Sequence, residues 1–225
     1  MTEYNIHNIG GHILIESCGD LLLVDTGSPM SFHDDGRMTL CGRTFNVPCS
    51  LMNVNADYAT RQLGVPVKGF IGMDFISAHP MSIDIEHGIL AFDCDDTEGW
   101  TPVESVTIPG AVLMTMDVGG EPANVILDTG APVSYISSKF TSGCESAGTV
   151  TDFSPFHPSN TFETETYYLR CSIADQDFQM RFGNLPGALG MMLSMLGADG
   201  AVGMDVLRHF KVLISGGKVY VRGRQ

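Results

Sequence analysis

The apolar positions of this chain fall mostly in short runs separated by glycine-centred pairs, a pattern that predicts β-hairpins rather than long helices. Residues 12–18, a Gly19-Asp20 turn and residues 21–25 form one such unit, and residues 112–118, Gly119-Gly120 and residues 122–128 form another. Further hairpins are predicted over 38–47, over 81–84 with 88–92, over 169–180, and over 211–214 with 218–221. Two segments, 56–63 and 188–196, read as helices. The Met-rich stretch 190–196 is expected to pack into the core.

The hairpins repeat in order, and the repeat carries two motifs. Leu21 opens LLLVDTG and Val125 opens VILDTG, placing two Asp-Thr-Gly triplets 103 residues apart. Gly69 opens GFIGMDF and Gly200 opens GAVGMDV, 131 residues apart, so the second copy is longer by 28 residues. The excess falls at 141–168, where Thr-, Phe- and Tyr-rich runs at 149–154 and 161–168 flank a Pro-containing turn, predicting strand-turn-strand. Residues 93–109 are acidic, hold two prolines, lack apolar periodicity until Val103, and read as a linker into a strand. The expected organisation is an N-terminal lobe at 1–98, a linker at 99–110 and a C-terminal lobe at 111–225.

Composition narrows the function classes. Twelve basic residues against 26 acidic ones give a formal charge of −14, which disfavours nucleic acid and anionic membrane surfaces as partners. Hydrophobic residues at 44% are enough for a substantial core. The start, MTEYNIHNIGG, lacks the basic and apolar regions of a secretion signal, and no run suits a membrane helix, so a cytoplasmic location is the expectation. The six cysteines form no C-x-x-C pair and are expected as buried thiols, and the histidines show no metal-ligand spacing.

Two Asp-Thr-Gly triplets, each with an upstream hairpin and a downstream apolar-apolar-Gly element (Phe70-Ile71-Gly72 and Ala201-Val202-Gly203), resemble the pepsin-like and retropepsin-like aspartic proteases over nearly the whole chain. The stretch VLMTMDVGGEPANVILDTGA, residues 112–131, is similar to the start of a retropepsin subunit. The resemblance implies an all-β, bilobal acid-protease fold with pseudo-twofold-related lobes and a short helix before each apolar-apolar-Gly motif. It implies an aspartic endopeptidase in which Asp25 and Asp128 activate a water against a peptide bond, with no metal or cofactor. Thr26, Gly27, Ser28, Thr129, Gly130 and Ala131 would support the dyad, peptide or protein would be the substrate, and a monomer would suffice because one chain supplies both aspartates. Two facing carboxylates share one proton, an effect for which this family is itself the standard illustration. Ser28 is expected to donate to Asp25 and make it the more acidic member, since Ala131 has no hydroxyl to offer Asp128.

The sequence also departs from the family pattern. Only 47 residues separate Asp25 from Gly72, against 75 from Asp128 to Gly203, so the substrate-covering flap is expected in the second lobe, with Phe153, Ser154, Pro155, Phe156 and His157 near its tip. Pro29 and Pro132 stand where retropepsins carry an acidic residue, and His33, expected as a packing or surface residue, replaces an aliphatic one. Asp74 and Asp205 are each expected to begin a short helix, as a cap or as a first-turn acid. The alternative from another class is a peptide-binding or regulatory module that keeps the fold and cleaves little.

Overall fold

The computed structural model describes residues 1–52, 54–153 and 161–224. The chain is predominantly β, with short helices. Two-residue turns set the hairpins: Cys18-Gly19, Cys41-Gly42, Ala174-Asp175 and Gly216-Gly217 all have positive φ at both positions, the conformation that matches the twist of paired strands. The first turn is therefore one residue earlier than the expected Gly19-Asp20.

A five-stranded sheet holds the first repeat, in the order His7–Ile9, His12–Ser17, Asp20–Val24, Val67–Ile71, Phe32–His33. Its last three strands form a distinctive unit. Asp20–Val24 runs parallel to Val67–Ile71, which is antiparallel to Phe32–His33, so a strand from later in the chain wedges between two earlier ones. The second repeat builds the same unit within an eight-stranded sheet: Glu121–Leu127 is parallel to Gly200–Val202, which is antiparallel to Ser134–Ile136. Each Asp-Thr-Gly lies in the loop that leaves the first strand of its trio.

The helices frame these trios. Ala56–Leu63 starts at Asn55, whose side chain accepts from the Tyr58 N–H at 3.1 Å, and stops at Gly64 in the left-handed region (φ 70°). Its counterpart spans Gly187–Met195, but Met191, Met192, Met195 and Leu196 are exposed and Leu193 is the residue that packs inward, so the Met-rich segment does not fill the core as expected. Leu193 packs on the cluster that holds Ala198 and Ala201, and the helix presents Met191, Met192 and Met195 outward. Asp74 lies in the first turn of Met73–Ile76, and Asp205 immediately precedes the turn Val206–Arg208.

A six-stranded sheet joins the repeats: Thr2–Asn5, Ile89–Phe92, Met81–Asp84, Phe210–Ser215, Lys218–Gly223, Thr101–Val103. Met81 pairs with Ile214 and Ile83 with Val212 across the junction, and one continuous apolar core runs beneath, from Ile13 and Val24 to Leu127, Val202 and Val221. The 99–110 segment, expected as a linker, carries two strands. Thr101–Val103 completes the six-stranded sheet and Ser105–Ile108 begins the eight-stranded one. All six cysteines are free, but Cys171 alone is buried and Cys18, Cys49 and Cys144 are exposed, against the expectation of buried thiols. His33 is buried, with Nδ1 accepting from the Asp35 N–H and Nε2 left to donate to Asp20 at 3.2 Å, a packing role. Among the described residues no helix is long and apolar enough to cross a membrane.

Candidate active site

The two Asp-Thr-Gly loops meet through their threonines. Thr26 Oγ1 donates to the Leu127 carbonyl at 2.7 Å and accepts from the Thr129 N–H at 2.9 Å. Thr129 Oγ1 reciprocates, donating to the Val24 carbonyl at 2.8 Å and accepting from the Thr26 N–H at 3.1 Å. Both threonines are fully enclosed, so all four bonds form away from competing water. Each loop is anchored to its own sheet in the same way, with Asp25 N–H donating to the Ile71 carbonyl and Asp128 N–H to the Val202 carbonyl, both at 2.9 Å.

The glycines allow the approach. A Cβ on Gly27 would lie 2.4–2.6 Å from the carboxyl atoms of Asp128, and one on Gly130 would lie 2.5–2.7 Å from those of Asp25, so any side chain at either position collides with the opposite aspartate. The carboxyl groups of Asp25 and Asp128 are thereby brought within hydrogen-bonding reach of each other. Gly27 and Ser28 N–H groups donate to Asp25 Oδ1 at 2.9 and 3.0 Å, and the Gly130 N–H donates to Asp128 Oδ1 at 2.9 Å, which fixes both side chains.

Both carboxyls keep some surface open to solvent yet are densely surrounded, and burial lifts both above the usual carboxylate range. Asp128 is raised further by the negative charge of Asp25, to about 8, and backbone N–H groups offset part of the rise at each, those of Gly27 and Ser28 at Asp25 and those of Gly130 and Ala131 at Asp128. The pair therefore retains one proton, with Asp25 the better seat for the charge; such a pair titrates as a unit. The expected cause of this asymmetry is corrected. The Ser28 hydroxyl donates to the Met30 carbonyl at 2.9 Å, and Ser28 serves Asp25 through its backbone N–H.

No family model matches this chain, and no curated protein is similar to it.

Two further pairs of residues support the loops. Ser31 and Ser134, each six positions after its aspartate, accept through Oγ from the N–H of Gly72 and Gly203 at 2.9 and 3.1 Å, tying each loop to its apolar-apolar-Gly element. The Ser31 hydroxyl in turn donates to Asp74 Oδ1 at 2.6 Å. Their identical offset in the two copies is a sequence signal that the motif comparison did not use. Pro29 and Pro132 abut glycines of the opposite repeat: a Cβ on Gly110 would lie 2.4 Å from Pro29 Cβ, and one on Gly11 would lie 2.9 Å from Pro132 Cβ. Both glycines have positive φ, so these contacts reserve the positions for glycine twice over.

The insertion forms a hairpin, Thr149–Phe153 against Thr161–Ile173, with Asp152 opposite Phe162. Phe153 ends its first strand; Ser154, Pro155, Phe156 and His157 lie outside the described residues. A cleft of roughly 510 Å³ opens between the hairpin residues Thr151, Phe162 and Glu163 and the segment holding Asn184, Leu185 and Pro186. Among the described residues the grouping with the donors to hold a cation is Asp84, Glu86 and His87, and there the Lys211 ammonium already sits 2.5 Å from Asp84.

Proposed function

We propose that this chain is an aspartic endopeptidase with the two-lobed acid-protease arrangement, hydrolysing peptide bonds with a water held between Asp25 and Asp128. The observation that carries the reading is the reciprocal Thr26/Thr129 hydrogen bonding, which sets the two carboxyls face to face with one proton between them. The ionised member, with Asp25 favoured, takes a proton from the water as its oxygen attacks the scissile carbonyl carbon. The protonated member gives its proton to the carbonyl oxygen, forming a neutral gem-diol. Return of a proton from Asp25 to the amide nitrogen, while Asp128 takes one back from a gem-diol hydroxyl, then lets the C–N bond break, releasing a carboxylic acid and an amine and restoring the starting dyad.

The high proton affinity of Asp128 supports a working range that extends toward neutral pH, because the acid form persists until the retained proton is lost. The hairpin at 149–173 is the cover that would exclude water and hold the peptide extended. Both aspartates come from one chain, so the reading needs no second copy.

A peptide pool incubated from pH 3 to 8 with wild type, Asp25→Asn and Asp128→Asn tests the proposal. Cleavage by wild type that vanishes in both variants is expected. Folded wild type that cuts nothing would overturn the reading and leave a peptide-binding module in its place.

A further inference from the structure

Tyr135 follows the Asp128 loop directly, in the strand Ser134–Ile136 that pairs with both Gly200–Val202 and Gln176–Gly183. Its ring has little freedom. A Cβ on Gly183 would lie 3.0 Å from Tyr135 Cε1, so the bare glycine gives the ring its space, and the Phe162 ring packs against it at 5.8 Å between centroids. The buried phenol is thus aimed at the insertion hairpin near the far end of its first strand, where its hydroxyl donates to Asp152 Oδ2.

Asp152 stands opposite Phe162 in the hairpin register, and directly opposed residues point to the same side, so one carboxylate and one aromatic ring of the hairpin close on the same tyrosine. The surroundings of that carboxylate come from both repeats. Asp152 acts electrostatically on His12, which is buried beside the Gly130 backbone, and on Tyr58 in the first-repeat helix, while Tyr135 also senses the charge of Asp128. A carboxylate amid aromatic groups is costly to desolvate unless a donor meets it, and the tyrosine hydroxyl is that donor.

We propose that Tyr135 and Asp152 are positioning residues, a tether that holds the second-repeat hairpin against the strand leaving the Asp128 loop and so fixes the cover over the dyad. The consequence for cleavage rests on the protease reading; the tether itself does not. The hydroxyl restrains the hairpin from the side of the Asp128 loop.

The test uses the full chain and the variants Tyr135→Phe, Asp152→Ala, Asp152→Asn and the double variant Tyr135→Phe/Asp152→Ala. Hydrogen exchange is read at the amides of 149–153 and 161–165, with those of Ala111–Val118 as the control for intact folding. Tyr135→Phe and Asp152→Ala should each speed hairpin exchange roughly tenfold, the factor set by one hydrogen bond, and the double variant should add nothing further. Asp152→Asn keeps an acceptor oxygen and should stay near wild type. In peptide cleavage the same two single variants should raise KM more than they lower kcat, with the dyad pH profile unmoved. Unchanged hairpin exchange in Tyr135→Phe, or additive effects in the double variant, would overturn the tether. If wild type cleaves no peptide, the protease reading falls while exchange still decides the tether, and if Asp152→Ala does not fold, Tyr135→Phe decides alone.

Discussion

Replacing Thr26 by Val keeps the shape of a fully enclosed side chain and removes one hydroxyl. Two bonds go with it, the donation to the Leu127 carbonyl and the acceptance from the Thr129 N–H. No cavity is created, so the loss is electrostatic: a buried N–H and a buried C=O are left unmatched, each costing about 1–3 kcal/mol, or about 2–6 kcal/mol together. Thr26→Ser retains both bonds and deletes a methyl, at about 1 kcal/mol. Urea unfolding of the two variants side by side separates polar satisfaction from packing, and the Val variant should be the less stable by about 1–5 kcal/mol. Thr129→Val should behave like Thr26→Val, because its hydroxyl makes the mirror-image pair of bonds, and the double variant should cost less than the sum since both act on one interface. A Val variant as stable as the Ser variant would refute the claim that these hydroxyls hold the two loops together.

Burial raises Asp128, so between its unfolded value and about 8 the folded chain holds a proton that the unfolded chain has lost, and stability falls as pH rises through that window. Asp128→Asn should therefore be more stable than wild type, by a margin that grows from pH 4 toward pH 8; thermal melts across that range check it, and a pH-independent margin would contradict it. Ser28→Ala should leave the pH profile of peptide cleavage unmoved, because its hydroxyl serves Met30 and not Asp25. Gly27→Ala should abolish cleavage while far-ultraviolet circular dichroism stays near wild type, since the added methyl displaces the Asp128 carboxyl and little else. Ser31→Ala should lower the unfolding free energy by about 1–3 kcal/mol in urea titration, through the unpaired Gly72 N–H and the lost donor to Asp74.

What could be read from the sequence was what is written locally. Two-residue glycine turns fix hairpins through backbone conformation, and the first helix spans the 56–63 that the sequence pattern implied. Within the 141–168 insertion the two paired strands form where its Thr-, Phe- and Tyr-rich runs implied, although the second continues past Tyr168 to Ile173. What escaped depends on partners far away in the chain. Thr101–Val103 is a strand because Lys218–Gly223 lies beside it, and Ser28 turns to Met30 because a rotamer, not a spacing, decides where a hydroxyl points. Asp152 looks like a surface residue in a polar run until Tyr135 arrives opposite it.

The bonds between the two triplet loops span 101 to 105 residues of chain, and the six-stranded sheet closes on strands from both ends. Contacts of such separation form late, after the local hairpins, because loop-closure entropy must be met first. During synthesis the first Asp-Thr-Gly loop therefore waits with its threonine unanswered until the second has been made. A partly made chain carries one aspartate without its twin, so on the proposed protease reading the dyad stays incomplete, by topology alone, until the repeats have docked.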